Sequence, residues 1–77
     1  MENRKLKSLR VLHGMTQGDM AELLGMTKPT YRTRENGQHD FTESEINTIL
    51  NTFNVKYEDI FLHNDSLKVN DKEESDK

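Results

Sequence analysis

The sequence predicts an all-α domain built from five short helices. Apolar residues recur every three or four positions in successive segments, which is the period of a helix with one buried face. Capping residues mark where several segments begin, and a glycine or asparagine marks where they end. The 77 residues suffice for one small domain, which we assign to residues 1–63, followed by a polar tail at residues 64–77.

The first helix is predicted over residues 3–13. Three leucines lie at helical spacing and are expected to close the core: Leu6, Leu9 and Leu12. Basic and polar residues separate them, and Gly14 supplies a stop. We interpret this helix as a structural support for the segments that follow it.

Residues 16–37 predict a helix, a tight turn and a second helix. Thr16 can cap the first of these helices, and Asp19 stands in the acidic position of a capping box. Gly25 can adopt the left-handed conformation that turns the chain, and Thr27 is a new N-cap. Both helix boundaries at the turn are therefore chemically marked.

The helix after this turn is expected to run from about Lys28 to Asn36. Pro29 falls in its first turn, where the missing N–H is not needed. Asn36 and Gly37 close the helix. It is the third helix of the predicted domain.

A second capping box, Thr42 with Glu45, predicts the start of a fourth helix. An apolar stripe at i, i+3, i+4 and i+7 is expected to lie in the core: Ile46, Ile49, Leu50 and Phe53. Phe41 is the expected hydrophobic staple and Asn54 the left-handed stop. Apolar residues beyond Asn54 predict a short fifth helix that either seals the core or offers a dimer contact: Val55, Tyr57, Ile60, Phe61 and Leu62.

Six residues fit the pattern Q-x-x-x-A-x-x-x-G-x-[ST]-x(7)-E-x-G: Gln17, Ala21, Gly25, Thr27, Glu35 and Gly37. With the flanking helices, the chain resembles the phage repressor and Cro family of helix-turn-helix regulators over roughly residues 4–62. The resemblance implies a lambda-repressor-like fold with the helix-turn-helix motif at helices two and three. It also implies double-stranded DNA as the partner, an inverted-repeat operator as the target and a homodimer as the binding species.

Three positions differ from what is usual in that family. Arg34 stands where an apolar or aromatic residue is usual, and we expect it to affect local packing. Gly18 replaces a better helix former and is expected to lower stability. Tyr31 takes the place of an Ile or Val that faces the core, a position where aromatic residues are tolerated.

The resemblance indicates which side chains would meet DNA. Base reading is predicted for four residues of the third helix: Lys28, Pro29, Arg32 and Thr33. Lys or Arg can donate to guanine O6 and N7, while the Pro29 ring and the Thr33 methyl can contact a thymine methyl. Phosphate contacts are predicted for three further residues: Gln17, Thr27 and Asn36. The alternative is an ordinary solvated face.

A brace between helices one and three is a further implication of the resemblance. In the family, a basic residue at the position of Arg10 typically pairs with the acidic residue near the end of the recognition helix, which is Glu35 here. The alternative is that both are solvated surface charges, which contribute little to stability. Neither interpretation makes them DNA contacts.

The charge is unevenly distributed along the chain. The net charge is -3, yet residues 1–38 carry seven basic and four acidic side chains, a balance of +3. Residues 39–63 carry one and five, and residues 64–77 carry three and five. The basic charge is therefore concentrated around the predicted motif, as DNA binding requires. The acidic tail is expected to be disordered and either competes with DNA or only solvates the domain.

Other classes of function are disfavoured. The chain has no cysteine, and its three histidines lie about 25 residues apart, which does not suggest a metal site. We see no nucleophile motif, phosphate-binding loop or long apolar run, so we expect no enzyme, no cofactor and no membrane span. A cytoplasmic protein is expected.

Two alternatives to operator binding remain open. Helix-turn-helix folds also serve as protein-interaction modules, such as antitoxins and coactivators, and fold alone does not decide function. RNA binding is more distant, because duplex RNA hides its base edges in a deep, narrow major groove.

Overall fold

The computed structural model describes residues 2–61, which form five helices and no strand. The helices are Arg4–Leu12 (α1), Gln17–Leu24 (α2), Lys28–Glu35 (α3), Glu43–Phe53 (α4) and Tyr57–Ile60 (α5). The predicted five-helix, all-α fold is confirmed. The predictions for the polar tail, His63 and Leu62 lie outside the described residues.

The turn between α2 and α3 has the predicted chemistry. The Thr16 hydroxyl accepts the N–H of Asp19 at 3.0 Å, and the Asp19 carboxylate accepts the N–H of Thr16 at 2.9 Å, which completes the capping box. Gly25 ends α2 in the left-handed region, with φ +70° and ψ +35°. Thr27 then caps α3 by accepting the N–H of Thr30 at 3.3 Å. Local side-chain chemistry therefore sets the geometry of the turn.

Helices α1 and α4 also have well-defined ends. Thr42 and Glu45 form the predicted capping box of α4, and Asn54 ends that helix with φ +55°. Asn3 caps α1 by accepting the N–H of Leu6 at 3.0 Å, a contact that the sequence analysis did not include. The backbone N–H of Asn3 also donates to the carbonyl of Glu35 at 2.9 Å, so the start of α1 is fixed to the end of α3.

The core takes one or two apolar side chains from every helix. These residues are Leu6, Met20, Ala21, Tyr31, Ile49, Phe53 and Ile60. Helices α2 and α3 pack on each other more extensively than any other pair, while α1 packs on α5. Burying one face of α3 against α2 and the core leaves its opposite face in solvent.

Leu12 does not lie in the core, and the prediction for it is wrong. Its side chain is 79% exposed. Leu6 and Arg10 are separated by four positions and define the buried face of α1. Since a helix turns about 100° per residue, Leu12 points about 120° away from Leu6. A spacing of three residues is shorter than a helical turn, so the third leucine of the series no longer lies on the face that the tertiary structure buries.

The apolar stripe of α4 is only partly buried. Ile49 and Phe53 are fully in the core, whereas Ile46 and Leu50 are half-buried, so the prediction holds in full for two of the four. Ile46 lies in the first turn of α4 beside an open pocket, and Leu50 lies at the edge of the stripe. Helix α5 seals the core through Ile60, which is 3% exposed.

Candidate nucleic-acid interface

The exposed side of α3 carries most of the predicted base-reading residues. Lys28, Pro29 and Arg32 are exposed on its first turns, and Thr33 is half-buried. The Thr33 hydroxyl donates to the carbonyl of Thr30 at 2.8 Å, so a contact from Thr33 to a base would rest on its methyl group. The two cations and the Pro29 ring are therefore accessible to a ligand that approaches this side of α3.

The loop after α3 folds back along this helix. The backbone N–H groups of Gln38 and His39 both donate to the carbonyl of Thr33, at 2.9 and 3.3 Å. An open groove of about 450 Å³ is lined by His39 together with Pro29, Thr30, Thr33 and Arg34. His39 was not among the predicted site residues, because nothing in its local sequence shows that the loop returns to the helix.

The three predicted phosphate-binding residues occupy helix ends. Gln17 is the first residue of α2, Thr27 caps the start of α3, and Asn36 caps its end. The Gln17 side chain reaches Glu35, so Gln17 lies near the end of α3 that Asn36 caps. Thr27 lies at the other end of α3, about 12 Å away for an eight-residue helix. The three therefore do not form one compact cluster, and their contacts with phosphate stay a prediction.

The start of α2 also presents backbone donors. The N–H groups of Gln17 and Gly18 belong to the first turn and have no intrahelical acceptor, whereas the N–H of Asp19 is used by Thr16. Unpaired N–H groups and the positive end of the helix dipole favour an anion at this point.

Behind the interface lies a buried ion pair. Arg10 Nε donates to Glu35 Oε2 at 2.9 Å, and Arg10 Nη2 donates to Glu35 Oε1 at 3.3 Å. Arg10 is 7% exposed and Glu35 is 2% exposed. The predicted brace is confirmed, and the alternative of two solvated charges is wrong. Arg10 Nη1 also donates to the carbonyl of Met15 at 2.8 Å, which ties the α1–α2 loop to the pair.

Two further donors complete the surroundings of Glu35. The Tyr31 hydroxyl donates to Glu35 Oε2 at 2.7 Å, and Gln17 Nε2 donates to Glu35 Oε1 at 3.0 Å. Tyr31 faces the core, as expected, and is fully buried. Neither hydrogen bond was predicted from the sequence. Tyr31 and Glu35 do lie four positions apart on one helix, a spacing that favours contact between their side chains.

These contacts fix the charge states of the network. Burial alone would raise the pKa of Glu35, but hydrogen bonds from Arg10, Gln17 and Tyr31 outweigh it and hold the pKa below its usual range. Burial raises the pKa of the Tyr31 phenol, and its hydrogen bond to Glu35 raises it further. The hydrogen bond to Glu35 raises the pKa of Arg10. At neutral pH, the carboxylate is charged and the phenol keeps the proton that it donates.

Arg34, which stands where the family usually has an apolar or aromatic residue, makes polar contacts. It forms an ion pair with Glu45 at 3.3 Å and donates to the carbonyl of Asp40, so it links α3 to α4 and to the loop between them. Its Nε is buried and has no hydrogen-bond partner among the described residues. An unpaired buried donor costs free energy, which offsets part of what the ion pair contributes.

Within residues 2–61, no three His, Asp or Glu side chains are grouped so that they could hold a metal ion. None of the helices described is long and apolar enough to cross a membrane.

A helix-turn-helix family model matches residues 6–60, which is more than half of the chain. The chain is 41% identical over 61 residues to an uncharacterized HTH-type transcriptional regulator of Methanocaldococcus jannaschii, covering 79% of this chain and 92% of that protein. It is 35% identical over 60 residues to the antitoxin PezA of Streptococcus pneumoniae, covering 78% of this chain and 38% of PezA. No solved structure matches the chain significantly.

Proposed function

The chain belongs to the XRE-type helix-turn-helix family of transcriptional regulators, and from this premise we propose that it is a cytoplasmic repressor of the Cro type. It binds double-stranded DNA in a sequence-specific manner and occupies inverted-repeat operator sites as a homodimer. The observation that carries the proposal is the exposed face of α3, which presents Lys28, Pro29 and Arg32 on a helix whose other face is buried.

Base selection follows from the chemistry of that face. Lys28 and Arg32 can donate to guanine O6 and N7 in the major groove, and Pro29 with the Thr33 methyl can pack on a thymine methyl. Each good bidentate hydrogen-bonded pair is worth about 1 to 3 kcal/mol of discrimination against the wrong base. The residues that read sequence are therefore Lys28, Pro29, Arg32 and Thr33.

Phosphate contacts set the position of α3 in the groove. Gln17 is half-buried at the start of α2, beside backbone N–H groups that lack intrahelical acceptors. Thr27 and Asn36 stand at the two ends of α3 and are exposed. Contacts at both ends would fix the depth and the angle of the helix, and they carry no sequence information by themselves.

Dimerisation supplies the specificity that one recognition helix lacks. A two-fold axis would place two copies of α3 in successive major grooves about 34 Å apart, so the preferred site is an inverted repeat with that spacing. Tyr57 is 49% exposed and stacks on Phe61 with ring centroids 5.4 Å apart. Ile60 is buried and Phe61 packs on the core, so we propose a contact centred on Tyr57.

Selection of bound duplexes from a random DNA pool tests the proposal. We expect one enriched inverted repeat. We also expect the affinity to fall steeply with salt: the logarithm of the binding constant, plotted against the logarithm of the salt concentration, should have a slope of about -0.9 for each neutralised phosphate. Lys28→Ala and Arg32→Ala should relax base preference, whereas Lys5→Ala removes the same charge from α1 and should leave base preference unchanged. Absence of any bound duplex, or a flat response to salt, would refute the proposal.

A protein-binding module is the second candidate function. Its support is the similarity to an antitoxin, although the match covers only 38% of that protein. The exposed apolar residues Val11 and Leu12 at the end of α1 offer a surface for such a partner. Tight binding to a purified protein together with no affinity for duplex DNA would favour this candidate.

A further inference from the structure

Tyr31 is a core residue that also makes a side-chain hydrogen bond. Its ring is fully buried, and its hydroxyl donates to Glu35 Oε2 at 2.7 Å. Tyr31 and Glu35 lie four positions apart on α3, so their side chains share one face of the helix. The hydroxyl thus acts on the residue that connects α3 to its neighbours.

The two carboxylate oxygens of Glu35 have different partners. Oε2 accepts from Tyr31 and from Arg10 Nε, at 2.7 and 2.9 Å. Oε1 accepts from Gln17 Nε2 at 3.0 Å, with a longer contact of 3.3 Å from Arg10 Nη2. With Oε2 held by two short hydrogen bonds, the plane of the carboxylate is fixed and Oε1 is directed at the Gln17 amide.

We propose that the Tyr31 hydroxyl is a positioning group for Gln17, acting through Glu35. It holds the carboxylate so that Oε1 binds one N–H of the Gln17 carboxamide and leaves the second N–H for a DNA phosphate. The inference rests on the proposed function, since it concerns the use of Gln17 in phosphate binding. Tyr31 itself does not touch DNA.

The physical benefit is preorganisation. A free glutamine side chain loses rotamer entropy when it is ordered. In this structure the half-buried Gln17 is already ordered by Glu35 before any ligand arrives. Ordering the Gln17 side chain in advance reduces the loss of conformational entropy that accompanies binding. The start of α2 therefore offers a phosphate a donor set that is already in place.

A double-mutant cycle on the full chain tests the proposal. The variants are Tyr31→Phe, Gln17→Ala and both together, and the probe is the operator duplex selected for the wild-type chain. Tyr31→Phe keeps the buried ring and should weaken binding by about 3- to 10-fold, the effect of freeing one side chain. In the Gln17→Ala background the same change should have less than a twofold effect. Thr48→Val removes a hydroxyl from α4 and serves as the matched control.

The nuclear magnetic resonance signals of the Gln17 side-chain amide in the free protein give a readout without DNA. One amide proton should be shifted downfield by its hydrogen bond, and Tyr31→Phe should move it back towards the usual value. Equal loss of DNA affinity in both backgrounds, or an amide signal unaffected by Tyr31→Phe, would overturn the proposal. If Tyr31→Phe did not fold, two ordinary amide shifts in the wild-type chain would overturn it as well.

The experiments distinguish a failure of the proposed operator binding from a failure of the positioning role of Tyr31. If the wild-type chain bound no duplex, the proposed function would be lost, and with it the role of Gln17 at a phosphate. The amide signals would still show whether Tyr31 holds Gln17. If the wild-type chain bound its operator while the cycle was additive, only the positioning role would be lost.

Discussion

Arg10 and Glu35 are 25 positions apart in the sequence and form an almost fully buried ion pair, with Nε and Oε2 separated by 2.9 Å. The pair joins α1 to the end of the recognition helix. A buried pair adds little net stability over a well-packed apolar pair, but removing one partner leaves an uncompensated charge. We therefore expect the pair to specify how α1 and α3 are oriented.

Glu35→Ala should destabilise the domain severely. The substitution leaves the buried Arg10 guanidinium without its carboxylate, which typically costs about 3 to 5 kcal/mol. Small domains are stable by only about 5 kcal/mol, so the variant should be largely unfolded at 37 °C by circular dichroism. Glu2→Ala breaks exposed ion pairs with Arg4 and Lys7 and should change the melting temperature little. Equal melting of the two variants would contradict the buried pair.

The free energy of unfolding should depend on pH through Glu35. Its pKa in the folded protein is lowered from the ordinary value near 4.3, so the unfolded state binds the proton more readily. The corresponding stability is fully present above the ordinary pKa and is lost as the pH falls through the folded value. Urea unfolding measured at successively lower pH, from neutral to below the ordinary pKa of a glutamate, should show this loss. In Glu35→Gln this contribution should be absent, and an unchanged acid profile would contradict the assignment.

Two glycine substitutions should have opposite effects. Gly18→Ala adds a Cβ that would meet only the Thr16 hydroxyl, at 3.6 Å, an ordinary contact. It should stabilise the domain by about 0.4 to 1 kcal/mol, because alanine restricts the unfolded chain and favours the helix. Gly25→Ala places a side chain at φ +70° and should destabilise the domain by about 1 kcal/mol. Thermal denaturation of both variants checks the signs, and a rise in melting temperature for Gly25→Ala would refute the turn geometry.

Burial, and not apolar character, should decide how much the substitution of an apolar residue lowers the free energy of unfolding. Ile49→Ala removes a fully buried side chain and should cost about 2 to 5 kcal/mol. Leu12→Ala removes as many carbon atoms as Ile49→Ala, yet Leu12 is 79% exposed, so the change should be nearly neutral. Ala21→Trp should also unfold the domain, because that alanine is 3% exposed. Strong destabilisation by Leu12→Ala would indicate that another surface covers α1.

The proposed dimer contact can be tested at Tyr57. Tyr57→Lys should weaken dimerisation and binding to the whole operator together while leaving the helical spectrum intact, since that side chain is half exposed. Phe61→Lys is a poorer probe, because Phe61 packs on the core and its loss would disturb the fold. Sedimentation, together with binding to whole and half operators, measures both effects. A Tyr57→Lys chain that still bound the whole site as a dimer would remove this contact.

The local sequence determined where the helices begin and end. Thr16 with Asp19, and Thr42 with Glu45, form the predicted capping boxes, and Gly25 ends α2 in the predicted left-handed conformation. These features depend on side chains and backbone groups within four residues of one another, so they can be inferred without knowledge of the rest of the fold. The all-α architecture follows from the same short-range patterns.

Only the tertiary structure decided which surfaces are buried and which polar groups meet. Leu12 fits the helical spacing of the core residues but lies in solvent, and His39 lies beside α3 because its loop folds back. The hydrogen bond from Gln17 to Glu35 joins residues 18 positions apart. Periodicity shows that a helix has an apolar stripe, but the angle at which neighbouring helices cross it decides which part of the stripe is covered.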